Sequence, residues 1–122
     1  MREQTDNLPV AMEQPGFKLL SPGTWGGMVV EYLECTERID LRPMLEGLPD
    51  DKCTCPHWGY MLRGALHSQY AEGTEEVIRS GDVFYMSKGH TGWFEAGSAM
   101  IFFSPEVEQR VIAEHLAKKM QG

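Results

Sequence analysis

From residue 17 to residue 103 the apolar positions come in short runs rich in β-branched and aromatic side chains: 17–20, 26–34, 37–41, 58–63, 65–71, 74–80, 82–87, 91–96 and 99–103. Glycine, proline, aspartate or serine separates them, and turn sequences stand at 71–74 and 95–98. Short strands at this spacing predict an antiparallel sandwich or barrel. Two segments depart from the pattern. Residues 1–15 carry Pro9 and Pro15 among polar side chains and follow neither period, so they read as an arm or an added edge segment. Beyond Ser104 and Pro105, which suit an N-cap and a first helical position, Val107, Val111, Ile112, Leu116 and Met120 recur at helical spacing. Glu106 and Glu108 in the first turn and Lys118 and Lys119 in the last match the helix dipole. The expected organisation is one domain: an arm over 1–15, a β-barrel over 16–104 and a helix over 105–122. The helix stripe can pack on its own sheet or on a second subunit.

Size and composition narrow this further. A chain of 122 residues and 13.8 kDa suits one core, and 42% apolar with 24% charged residues excludes a disordered tail or a disulfide-dense miniprotein. The net charge of −7 repels polyanions, so nucleic acid is not an expected partner. Three cysteines cannot all pair within the chain, and the spacing of Cys53 and Cys55 is poor for a bridge. Free thiols and a reducing compartment follow as the expectation. The polar N-terminus lacks an apolar signal region and no stretch reaches the roughly 18 apolar residues of a membrane span, so a cytoplasmic protein without a membrane partner is expected. The eight methionines are scattered and read as core filling.

Three glycines, Gly64, Gly81 and Gly89, punctuate the segment from Cys53 to Phe103. With them the segment resembles the cupin superfamily, whose motifs run G-x5-H-x-H-x3,4-E-x6-G and G-x5-P-x-G-x2-H-x3-N. Gly64 fits the closing glycine of the first motif, and Gly81 and Gly89 fit the two glycines of the second. The runs 56–64 and 81–90 look like the paired strands that flank a cupin pocket, with a hairpin turn at Glu72 and Gly73 between them. The resemblance implies an all-β double-stranded β-barrel, or jelly roll, here followed by a C-terminal helix. It also implies a metal held by the first motif's two histidines and glutamate and the second motif's histidine. This sequence departs at each of those places. His57 stands at the glutamate position, Asp51 and Cys53 at the two histidine positions, Ser87 at the proline, Gly92 at the second motif's histidine and Ala96 at the asparagine.

A different set of ligand types stands nearby: Cys53, Cys55 and His57 on one side and His90 on the other, two residues before the expected ligand position. In an extended segment residues two apart share a face, so Cys53, Cys55 and His57 would all point into the barrel, although Pro56 interrupts the strand. Thiolate and imidazole suit Zn²⁺ or another divalent transition metal (Fe, Ni, Cu or Mn), and three protein ligands with an open position make a catalytic arrangement. Packing is the competing reading, since free cysteine is among the most buried residue types. His67 is expected to face away from the pocket and His115 to lie at the surface. Trp58, Tyr60, Phe84, Met86 and Trp93 border the predicted barrel and are expected to line a pocket for a small, partly apolar molecule. Two functions follow: a metal-dependent oxygenase or isomerase acting on a small molecule, or a metal-free ligand-binding or regulatory module. Strand edges and apolar faces left to cover predict a homodimer.

Overall fold

The computed structural model describes residues 1–121 as two antiparallel sheets and a C-terminal helix. The strands are β1 (Val10–Gln14), β2 (Phe17–Trp25), β3 (Met28–Cys35), β4 (Ile39–Asp40), β5 (His57–Arg63), β6 (Ala65–Tyr70), β7 (Glu75–Arg79), β8 (Val83–Met86), β9 (His90–Phe94) and β10 (Ala99–Pro105). The helices are α1 (Arg42–Leu45) and α2 (Glu106–Gln121). A six-stranded sheet in the order β1-β2-β3-β10-β5-β8 faces a four-stranded sheet in the order β4-β9-β6-β7. Every strand pairing is antiparallel, and the chain passes between the sheets as in a jelly roll.

Alternation along the strands builds the core. Met100 and Phe102 of β10 and Met61 of β5 turn inward to meet Leu66, Phe94 and Ile78 of the opposite sheet. Gly59, between His57 and Met61 on the inward face, has no room for a side chain: a Cβ there would stand 2.6 Å from Phe84 Cζ and 2.9 Å from Phe102 Cβ. The missing side chain lets the Phe84 ring and strand β10 approach closely.

Of the two readings of residues 1–15, an arm or an added edge segment, residues 10–14 take the second and form the edge strand β1, held by backbone pairing to β2. Its side chains are mostly exposed, which is why no burial period marks it. The run expected over 37–41 shrinks to the two residues of β4, and α1 follows it, with Leu45 and Leu48 packing against Ile112 of α2. Ser104 and Pro105 belong to β10 and do not cap the helix, which begins at Glu106. The Ser104 hydroxyl is taken instead by His57.

Helix α2 packs on its own barrel, against β3, β10 and α1. Ile112, Leu116 and the polar Gln109 face the interior, while Val107, Val111 and Met120 stay exposed. The expected single stripe is thus split between two faces, because Val107 and Val111 lie one turn apart on the side away from Ile112. His115 is half-buried, not on the open surface, and its Nε2 is enclosed without a hydrogen-bond partner. No helix is long and apolar enough to cross a membrane among the described residues.

Candidate metal centre and barrel cavity

Local backbone pairing brings the chemistry together. Cys53 forms an isolated antiparallel bridge with His90: its N–H donates to the His90 carbonyl at 2.8 Å, and Gly89 N–H donates back to the Cys53 carbonyl at 2.7 Å. His57 opens β5 and pairs with Met86 of β8. The three side chains are buried, and a ligand atom from each lies within 4.8 Å of the others. Cys53 Sγ stands 3.6 Å from His57 Nε2, and the two imidazole rings are 5.0 Å apart, edge to face.

Each histidine is held by its other nitrogen. His90 Nδ1–H donates to the Ser87 carbonyl at 2.7 Å, which leaves Nε2 with its lone pair free. His57 Nδ1 lies 2.6 Å from the Ser104 hydroxyl, turning Nε2 toward Cys53. A ring fixed at one nitrogen and offering the other is how a metal-ligating histidine is oriented. Burial pushes the His57 imidazole down to about 3, with the His90 ring adding to it. Burial also lowers His90, against the opposing pull of the Ser87 carbonyl. Both rings are therefore neutral at neutral pH. The Cys53 thiol is pushed up to about 11 by burial, so it stays protonated until a cation takes the proton's place.

Cys55 does not join this group. It is fully buried, but it packs with Leu45, Leu48 and Ile112, and its Sγ donates to the Pro56 carbonyl at 3.3 Å. The expected alternation fails because the stretch is not a continuous strand: only Cys53 pairs, and Pro56 breaks the ladder before β5 begins. Burial raises the Cys55 thiol to about 12. All three cysteines are free.

Cys53, His57 and His90 line a cavity of about 100 Å³ inside the barrel, walled by Phe17, Leu33, Met86, Phe94 and Phe102. Of the five residues expected to line it, Met86 does so. Phe84 lies in the core but off the cavity wall. Trp58, Tyr60 and Trp93 point outward, because in their strands the alternate positions His57, Met61 and Phe94 take the interior. Trp58 packs on Tyr85 at 5.1 Å on the outer face. Trp93 is stacked between His67, 3.9 Å away and parallel within 2°, and the Arg38 guanidinium at 4.2 Å. His67, as expected, is turned away from the cavity, and it lies 2.6 Å from Glu95 Oε2. Gly92 offers no place for the absent histidine, since a Cβ there would collide with the His67 carbonyl of β6.

Two cavity residues were not singled out by the sequence. Glu31 of β3 is buried and accepts a hydrogen bond from Gln109 Nε2 of α2 at 2.9 Å. Burial raises its carboxyl to about 7. An acid within the apolar run from Met28 to Leu33, two residues before the inward Leu33, was the available signal. Nothing in the sequence marked Gln109, which reaches the cavity through the packing of α2.

No family model matches the sequence, and no curated protein matches it by sequence. Solved structures do match. An RmlC-like cupin from Shewanella frigidimarina is 15% identical with a TM-score of 0.58, over 84% of this chain and 88% of that one. The polyketide cyclase RemF from Streptomyces resistomycificus is 14% identical with a TM-score of 0.56, over 87% of this chain and 79% of that one. FeII HppE is 13% identical with a TM-score of 0.51, over 85% of this chain and 59% of that one. At these identities the likeness is one of fold. With its two facing antiparallel sheets and neighbours of the same architecture, the chain has the jelly-roll fold of these solved structures, with a Cys/His group between the sheets.

Proposed function

We propose that this protein is a metal-dependent cupin that binds a small, largely apolar molecule inside its barrel, beside a metal held by Cys53, His57 and His90, and acts on it as an oxygenase or isomerase. The observation that carries this reading is the arrangement of three buried donors within 4.8 Å, two of them imidazoles tethered at Nδ1. One thiolate and two imidazoles suit Zn²⁺ or a late first-row ion, and three protein ligands leave a position open to the cavity. A metal there supplies a Lewis-acidic or redox centre next to the bound molecule. The chain's own side chains do the rest. Phe17, Leu33, Phe94 and Phe102 exclude water, and Glu31, titrating near neutrality, can hold or release a proton at its carboxyl. Two solved neighbours of this fold, one named as a polyketide cyclase and one named with Fe(II), are in keeping with a barrel that holds a metal and acts on a small molecule.

Elemental analysis of untagged protein, followed by zinc titration under reducing conditions, tests the reading. One equivalent of metal per chain is the expected result. A chain that stays metal-free at saturating zinc overturns the reading in favour of a binding module without a metal.

We further propose that the protein is a homodimer. On the outer face of the six-stranded sheet the cross-strand rows Phe103, Trp58, Tyr85 and Ile101, Tyr60, Val83 are wholly apolar. Five of these six side chains are exposed, on strands where a solvated face would alternate to polar residues. A second copy presenting the same face covers both patches at once in a two-fold contact, without bringing charged side chains together at its centre. Sedimentation at micromolar concentration is expected to give twice the 13.8 kDa chain mass. Trp58→Glu should shift it to the monomer, and a wild-type monomer at all concentrations would rule the dimer out.

A further inference from the structure

The cavity wall carries polar atoms that the Cys53, His57 and His90 group leaves unused. Glu31 and Gln109 are 4% and 8% exposed, and Thr91 of β9 is 9% exposed. The Gln109 amide donates to Glu31, but its own oxygen has no hydrogen-bond partner, and neither has the Thr91 hydroxyl. All three residues line the cavity. Buried polar atoms are almost always paired, so one left open in an otherwise apolar chamber marks the place of a missing hydrogen-bonding group. Glu31 and Gln109 also line, together with Met12 and Leu19, an outer groove of about 700 Å³ beside α2. The pair therefore stands where the groove meets the cavity.

We propose that Glu31 and Gln109 form a polar subsite that accepts a hydrogen bond from an uncharged hydroxyl group of the molecule in the barrel, so that the cavity selects small alcohols over apolar analogues of the same shape. The subsite rests on the reading that the cavity holds a small molecule, and it does not require the metal. The Gln109 oxygen is an acceptor, which a hydroxyl satisfies and a halide or methyl group does not. An ammonium group is disfavoured, because around the few polar residues the walls are mostly phenylalanine, leucine and methionine and an ammonium would lose its hydration there. Burial also leaves Glu31 titrating near neutrality instead of as a fixed counter-charge. Size limits the ligand further. A cavity of about 100 Å³ is smaller than the ~150 Å³ that accepts a benzene ring, so the part of the molecule inside has about five heavy atoms.

The test compares 1-propanol with 1-chloropropane, which have nearly the same shape, by NMR titration of the Thr91 methyl group, which every variant keeps. It is run on chelator-treated protein and repeated with zinc, so its outcome does not depend on metal binding. Each protein serves as its own reference through the ratio of the two affinities. That ratio is expected to fall about tenfold or more, in favour of the chloride, in the Glu31→Leu, Gln109→Leu double variant. Gln109→Leu alone is expected to lower it several-fold and serves if the double variant does not fold. Glu31→Gln, which keeps an acceptor at the same place, should stay within about threefold of wild type. If the ratio is the same in wild type and the leucine variants while both probes still bind, the subsite is wrong and the cavity reading stands. If neither probe shifts any cavity resonance of the wild type, the cavity reading falls and the subsite with it.

Discussion

Alanine at Cys53, His57 or His90 will each lower zinc affinity by more than about 100-fold, while alanine at Cys55 or His67 will leave it within about twofold of wild type. The first three supply the donors that converge within 4.8 Å, and loss even of a supporting hydrogen bond behind a ligand costs about 10- to 100-fold in affinity. Cys55 packs instead between α1 and α2, and His67 is stacked on Trp93 outside the barrel. Competition against a chromogenic chelator measures this. The Cys53 and Cys55 variants make the sharpest pair, because the two thiols are two residues apart and both buried. Equal loss of zinc affinity in the two would refute the placement of the site. The histidine variants should remain folded, with a stability cost of roughly 1–3 kcal/mol for the lost buried hydrogen bond and packing.

The second large effect is a pH dependence that Glu31 imposes on stability. Burial raises its carboxyl from the ordinary 4.5 to about 7. Between those values the folded chain holds a proton that the unfolded chain has released. The contribution of Glu31 is therefore fully present below pH 4.5 and is lost as pH rises through 7. The loss amounts to about 3 kcal/mol, at a slope of at most ~1.4 kcal/mol per pH unit. His57 and His90 line the same cavity and act in the opposite sense, since their lowered values make acid destabilising. Cys53 lines it too, and Glu13, Glu106 and Arg110 line the adjoining groove. Glu31→Gln cancels these common terms in a difference measurement. In chelator-treated protein the variant should gain about 3 kcal/mol on wild type between pH 4.5 and 8 by urea denaturation. A difference that does not change with pH would show that Glu31 is solvated.

The core strands from Phe17 onward were legible because their apolar periods are set by the burial they undergo; helix α2 was legible from its spacing, although Val107, Val111 and Met120 of its stripe stay exposed. So was the antiparallel arrangement, from turn residues at regular intervals. Strand β1 was legible only as one of two alternatives, an arm or an added edge segment, since its place at the sheet edge depends on backbone hydrogen bonds that any side chain permits. Within the site, Cys53, His57 and His90 stood out as ligand types near the motif glycines. Their separation from Cys55 did not, because a spacing of two residues marks a shared face only in a continuous strand, and the chain is not one between Cys53 and His57. The choice of Trp58, Tyr60 and Trp93 as cavity residues failed for a related reason. Aromatic content marks a strand that packs on something, but it does not say on which face.

The sequence by itself determined the all-β class, the single-domain size, the C-terminal helix and the residue types available for a metal. These follow from local pattern and composition, which a chain carries whether folded or not. Only the tertiary structure decided that Cys53 meets His90 through a two-residue bridge, that Ser104 orients His57 instead of capping a helix, and that α2 carries Gln109 to Glu31. Each joins residues far apart in the chain. Such pairings are set by register and by which face of an element is covered, and a shift of one residue in a strand would exchange every inward side chain for an outward one.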